Sequence, residues 1–336
     1  MSLPALFENR LTLPVVAAPM FLASGPDLVL ACCRAGIVGT FPAKNQRTLA
    51  GFEEWLIMIG DGLAAIEEET GQPAPPYGVN LIVHRTNKII EEELALCVKY
   101  KVPLVITSLG AVPELVKAVH GYGGAVFHDV INLRHAQKAA GAGVDGLIAV
   151  AAGAGGHTGA ASPFGLLNEI RDFYDGAVLL SGAISTGSDI AAAQTMGADL
   201  AYLGTRFITT KECASPDDYK DMIVEARVKD IVATPVVSGV NANFITASLE
   251  RAGIDLDQAA GHAGMDIDTE LSEALTDQEN GLKAWRDIWS AGHGVGSIDD
   301  IPSVAHLVAR LHGEYLTACA AQQSRLAELR PVGGSS

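Results

Sequence analysis

Basic residues are scarce in this 336-residue chain: 23 Lys and Arg stand against 39 Asp and Glu, a formal net charge of −16. A surface of that sign is repelled by phosphate backbones and anionic membrane faces within the Debye range. Nucleic acid and membrane surfaces are therefore excluded as expected partners, and small molecules remain. Cysteine is scarce too. The five, at 32, 33, 97, 213 and 319, show no C-x-x-C spacing, and an odd count leaves at least one thiol free. That usage fits a reducing cytoplasm without structural disulfides. The nine histidines form no H-E-x-x-H motif and no Cys/His cluster, so no metal site is expected. No segment is uniformly apolar for the length of a membrane span, and the opening Met1-Ser-Leu-Pro-Ala-Leu6 lacks a basic region followed by an apolar run. A soluble, unexported, cytoplasmic protein is the expectation.

What the chain does have is apolar material, 49% of residues against 18% charged, enough for a large core and no case for disorder. Short β-rich runs recur at 13–18, 36–40, 77–83, 104–108, 125–130, 146–150, 177–181 and 200–204, with helix-length segments between them. The segments 88–100 and 133–142 carry apolar residues at helical spacing. Runs buried on both faces and alternating with helices mean a parallel α/β sheet, and eight units predict a closed (β/α)8 TIM barrel over an open doubly wound sheet. Periodicity does not count closure, so the open sheet stays as the alternative. After the eighth run the pattern changes. Residues 219–284 read as a smaller helical insertion or cap on the catalytic face, with a helix near 219–228, a loop at 235–243 and an acidic helix-prone stretch at 266–279. This divides the chain into a barrel at 1–218, a cap at 219–284 and a return to the barrel with a C-terminal helix at 285–336.

In such a barrel, function gathers on loops after the C-terminal ends of the strands, and phosphate is often held after the seventh and eighth. The seventh run leads into Leu180-Ser-Gly-Ala-Ile-Ser-Thr-Gly187 and the eighth into Gly204-Thr-Arg206. Backbone N–H groups freed by glycine, the hydroxyls of Ser181 and Thr205, and the positive end of a following helix predict an anion cradle there. Read blandly, those glycines only close tight turns. The sixth run leads into Gly153-Ala-Gly-Gly-His-Thr-Gly159, a loop so poor in side chains that His157 is its only ionisable group. Such a loop lets backbone approach a large flat ligand while the imidazole holds or moves a proton near neutral pH. Four further loops converge on the same face: Ala17-Ala-Pro-Met20, Gly78-Val-Asn80, Thr107-Ser108 and His128-Asp129. His128 and Asp129 are neighbours on a strand and point to opposite faces, so one of them is expected outside the site. The acidic runs 67–69 and 91–93 read as solvated helix faces.

The order of these pieces resembles the nitronate monooxygenase family, formerly the 2-nitropropane dioxygenases. The likeness rests on Pro14 to Met20, Gly78-Val-Asn-Leu81, Gly155-Gly-His-Thr-Gly159, Leu180-Ser-Gly-Ala183, Gly204-Thr-Arg-Phe207 and Ile288-Trp-Ser-Ala-Gly292. It implies FMN as cofactor, with small-molecule substrate and O2 as partners and a homodimer left open. It also implies oxidation of alkyl nitronates to a carbonyl compound and nitrite. The residues it places at the cofactor are Ala18, Pro19, Met20, Asn80, Ser108, Asp129, Gly155, Gly156, Ser181, Gly182, Ala183, Gly204, Thr205 and Ser290, with His157 as the catalytic base. The chain departs from the family at three points: Asp129 stands where some bacterial members carry lysine, Ala183 replaces the second glycine of a Ser-Gly-Gly turn, and residues 280–287 lack a tyrosine. Related flavin-dependent enoyl reductases share the barrel and the Gly-Gly-His loop. An NAD(P)H-dependent reductase of an enoyl thioester or quinone, and a non-catalytic FMN-binding protein, are the alternatives.

Overall fold

The computed structural model describes residues 4–84, 86–110, 112–254 and 285–329. Eight parallel strands close into a barrel: β1 (Val15–Ala17), β2 (Val38–Pro42), β3 (Gly78–Ile82), β4 (Leu104–Ser108), β5 (Ala125–Val130), β6 (Gly146–Val150), then, after a two-residue strand β7 (Gly156–His157), β8 (Ala177–Ser181) and β9 (Leu200–Leu203). Pairing of Val16 with Tyr202 and of Val16 with Val38 joins the first strand to both the last and the second. The fold is a (β/α)8 TIM barrel. The expected run at 36–40 begins two residues early because Gly36 takes φ +86 in the turn that follows the helix Pro26–Arg34.

Side chains alternate across each strand, and the two faces bury separately. Val16, Val38, Leu104, Ile106, Phe127, Ile148, Leu179, Leu200 and Tyr202 fill the interior, where Phe7 packs edge-on against Phe127 with ring centroids 5.9 Å apart. Val79, Leu81, Val105, Val126, Val130, Leu147, Ala149 and Val178 face outward and pack with the surrounding helices. Those helices are bounded by ordinary chemistry. Thr48 accepts from Gly51 N at 3.0 Å to start Leu49–Thr70, which ends on Gly71 at φ +64. The helix Val304–Glu328 lies over Gly187–Thr195 and closes the outer ring. Among the described residues no helix is long and apolar enough to cross a membrane.

Past the barrel, the described part of the 219–284 segment is mixed rather than wholly helical. The helix Asp217–Glu225 is followed by β10 (Ile231–Thr234) and β11 (Ala242–Ile245), then the helix Thr246–Arg251. The stretch expected as a loop at 235–243 contains a turn and the start of β11. The two strands pair antiparallel, and β11 continues onto β7, so a three-stranded sheet stands on the barrel mouth. The acidic stretch at 266–279 lies outside the described residues.

Candidate functional site

The alternation that fills the barrel also aims its last inward residues at one place. Ala18, Asn80, Ser108, Asp129, Ser181 and Gly204 stand at the C-terminal ends of their strands and line one cavity of about 470 Å³. Pro19 and Met20 extend its wall beyond β1, and Gly155, Gly156 and His157 enter from the loop after β6. Gly182, Ala183, Thr205 and Ser290 complete the set singled out in the sequence. Structure brings all fifteen around the same space. His128 and Asp129 do divide by face: Asp129 shares the inner face with Phe127, while His128 shares the outer face with Val126 and Val130. His128 bonds Thr107 Oγ1 through Nδ1 at 2.7 Å and, with His135 and Lys138, also lines the cavity. Burial, reinforced by the charges of His135 and Lys138, lowers its pKa to about 4.

His157 is held by its backbone more than by its ring. In β7 it pairs with Ala242, Gly156 pairs with Asn243, and the Asn243 amide Nδ2 donates to Ala154 O at 2.6 Å. Among the described residues no hydrogen bond reaches either ring nitrogen. The ring meets Trp285 edge-on, with centroids 5.2 Å apart, and keeps an accessible face where it lines the cavity. Although part of the ring is exposed, the density of protein around it lowers its pKa, by desolvation alone, to about 4, below the near-neutral value of a free imidazole. It is a neutral group at pH 7. Gly155 has to be glycine, since a Cβ would lie 2.9 Å from Gly292 N and 3.1 Å from Ala291 C.

The turn after β8 departs from ordinary backbone: Gly182 takes φ +130 and Ala183 φ +57, the second a left-handed conformation that costs a residue with a Cβ about 1–2 kcal/mol. Successive free amides in such a turn would form an anion-binding concavity, but the Ala183 N–H donates to Gly153 O at 3.3 Å. The expected contribution of the next helix is not there to give. Asp189 Oδ2 accepts from the N–H groups of Ser185 and Thr186, both at 2.9 Å, Glu314 Oε2 accepts from Gly187 N at 2.7 Å, and Thr186 Oγ1 accepts from Asp189 N. Carboxylates of the protein already occupy that positive end. Thr205 Oγ1 likewise accepts from Gly292 N at 2.9 Å, which pins the C-terminal return to the barrel.

Several lining residues were not singled out in the sequence. Trp285 stands over Gly156 and His157 from the segment that lacks tyrosine. Ser185 is buried with no partner for Oγ among the described residues. Lys44 lines the cavity and pairs with Glu93 at 3.6 Å, while Asn87 Nδ2 donates to the same carboxylate at 2.9 Å. Glu93 is therefore buried inside the protein, unlike the solvated face expected for its run. A buried carboxylate persists because a cation and an amide compensate it.

The chain matches the family model described as "Nitronate monooxygenase" over residues 43–314. It is 26% identical over 332 residues to a (3aS,4S,5R,7aS)-5-hydroxy-7a-methyl-1-oxo-octahydro-1H-indene-4-carboxyl-CoA dehydrogenase of Rhodococcus jostii strain RHA1, covering 88% of this chain and 90% of that one. It is 25% identical over 340 residues to a nitronate monooxygenase of Neurospora crassa, covering 89% and 88%. The solved structure of FabK from Thermotoga maritima superposes with TM-score 0.78 at 22% identity, over 95% of this chain and 97% of that one, which shows a shared fold. By the extent of the family match and the agreement of its relatives, the chain belongs to the nitronate monooxygenase family and is an oxidoreductase.

Proposed function

We propose that the protein binds FMN in the barrel mouth and oxidises alkyl nitronates with O2 to a carbonyl compound and nitrite. The observation that carries this reading is His157, a neutral imidazole on a glycine loop, facing the same cavity as the Gly182–Ala183 and Gly204–Thr205 turns. The residues fit the cofactor. Gly204 lines the cavity, and a Cβ there would rest in ordinary van der Waals contact with Ala18 Cβ at 3.8 Å and Met20 Sδ at 3.9 Å, so the backbone itself forms this part of the wall against which a phosphate would lie. The unpartnered Ser185 hydroxyl and the backbone at Gly182 would supply its polar contacts, the Ala183 N–H being taken by Gly153 O at 3.3 Å. Bound FMN would supply one-electron exchange and reaction with oxygen. The chain's own part is to hold the substrate beneath Trp285, exclude water with the β10–β11 sheet, and take an α-proton at His157 when the substrate arrives as a neutral nitroalkane. The segment 219–284 acts in this reading as a cap that chooses the substrate.

A second reading rests on charge. In a chain rich in acids, Asp129 is the only carboxylate among the described lining residues, beside Lys44, His135 and Lys138. Such a lining suits an anion, which a nitronate satisfies, and so does a phosphate-bearing acyl thioester like that named for the Rhodococcus relative. If the reaction is the reduction of an enoyl thioester or a quinone, NAD(P)H is the electron donor. Anaerobic mixing of the purified protein with propyl-2-nitronate, NADH and NADPH in turn separates the two. Loss of visible flavin absorbance with the nitronate alone supports the monooxygenase; loss with a nicotinamide alone supports the reductase, and no loss with any of the three rejects both.

A further inference from the structure

Asn80, Ser108 and Asp129 form a hydrogen-bonded row across the cavity floor, on three adjacent strands and all on the inner face. The Asn80 amide has two hydrogens, and Nδ2 lies 3.3 Å from Ile106 O and 2.8 Å from Ser108 Oγ. Both are spent, and Ser108 Oγ is the acceptor from Asn80. Between Ser108 Oγ and Asp129 Oδ2, 2.5 Å apart, one proton must lie, and it has two possible owners. If Asp129 is ionised, Ser108 donates to it and has nothing left for a ligand. If Asp129 is neutral, Oδ2–H donates to Ser108, whose hydroxyl hydrogen is then released toward the cavity.

The surroundings raise the share of the neutral form. Asp129 Oδ1 is buried with no partner among the described residues, a costly position for half of a carboxylate and a milder one for the carbonyl oxygen of an acid. Among the described residues no cation pairs with Asp129, and its immediate neighbours are uncharged. β4 gives Ser108, β3 gives Asn80, β9 gives the phenol of Tyr202, and β6 gives apolar Ile148 and Val150. His128 lies on the opposite face of β5 toward His135 and Lys138, Lys44 is engaged by Glu93 and Asn87, and His157 is uncharged at neutral pH. Burial raises the Asp129 pKa to about 6, the Ser108 bond offsetting part of the rise.

We infer that Asp129 is a proton-holding residue that binds in its neutral form, turning the Ser108 hydroxyl outward as a hydrogen-bond donor to an acceptor atom on the bound heterocycle. The inference rests on the proposal that this heterocycle is FMN. Asp129 acts through Ser108 and is thus a positioning residue, one whose role is read in a pH profile.

The test is the dissociation constant of FMN from the full-length protein, followed by flavin fluorescence on dilution between pH 5 and pH 8. Wild type is compared with Asp129→Asn, whose amide donates to Ser108 at every pH, and with Ser108→Ala, which removes the donor. The FMN phosphate itself titrates near pH 6, so the ratio of wild-type to variant constants is the quantity to follow, because that ionisation cancels in it. With one hydrogen bond of about 0.5–1.5 kcal/mol at stake, the wild-type to Asp129→Asn ratio should rise about 3- to 10-fold across the range. Against Ser108→Ala the wild type should lose the same factor as pH rises, the variant being flat. A flat ratio in proteins that all bind FMN overturns the inference and leaves the cofactor assignment standing. Failure of all three to bind FMN at any pH overturns the cofactor assignment first, and the inference with it.

Discussion

Replacing His157 by Asn should separate proton transfer from every other role of that ring. A positioned base contributes about 10²–10⁴-fold to a proton abstraction, and its efficiency follows its basicity. Desolvation places the His157 pKa about 2.5 pH units below that of a free imidazole, near 4. A base weakened in this direction contributes less, which points to the lower end of that range. The loss on a neutral nitroalkane should therefore be about 10²-fold, while an anionic nitronate, already deprotonated, should lose only a few-fold. Anaerobic stopped-flow reduction of the bound flavin measures both. The pH profile adds a second check with a definite sign. The neutral ring is the base, so wild-type kcat/KM for the nitroalkane, corrected for substrate ionisation, should stay level from pH 8 down to 5 and fall only as pH approaches 4. An inflection near 6.5 would refute the desolvation argument, and equal losses on the two substrates would make His157 an anchor instead of a base.

Other expectations follow from the same geometry. Gly204→Asp adds a carboxylate at the cavity wall, its Cβ in ordinary contact with Ala18 and Met20, so the protein should purify without flavin while its circular dichroism stays that of the barrel; a fully yellow variant would place the phosphate elsewhere. Asp129→Asn should also change folding stability. The folded-state pKa of about 6 exceeds the ordinary 3.8, so the wild type is favoured below pH 4 and loses up to about 3 kcal/mol as pH rises through 6. Urea titrations of the flavin-free proteins should therefore show a gain for the variant at pH 8 that disappears at pH 4, and a pH-independent difference would contradict it. In the cap, Val240 lines the cavity whereas Asn243 and Phe244 are buried supports. Val240→Ala should shift Michaelis constants with flavin content unchanged, while Asn243→Ala, leaving Ala154 O unbonded, should lower stability by about 1–3 kcal/mol. The reverse pattern would make Val240 structural.

How far the residues alone announce this structure depends on what each is asked to do. β4, β5, β6 and β8 coincide with their apolar runs because a strand buried on both faces needs an unbroken stretch of such residues. β10 and β11 are four residues each, and β7 is a Gly-His pair. No local preference makes those a sheet; only the register against one another does. The wall of the site was legible through the alternation rule, which assigns Asn80, Ser108 and Asp129 to one face. Its electrostatics was not, since the depressed His157 and raised Asp129 pKa values come from atoms packed around them in space. One missed feature did carry a signal: Thr186 and Asp189 stand three apart at a helix start, the spacing of a capping box, which foretells that the helix keeps its own amides.

The pinning of Gly292 to Thr205 bears on when this protein becomes able to work during its synthesis. The last barrel strand ends at Leu203, so the eight strands can close once that residue has left the ribosome. His157 at that moment lacks its neighbours: Ala242 and Asn243 follow by some eighty residues, and Trp285, Ser290 and Gly292 arrive later still. Domains fold as units as the chain emerges, and contacts so far apart in sequence form last. A nascent barrel can thus be shaped while its mouth is unfinished, the wall that meets His157 and Thr205 being supplied only when the chain is nearly complete.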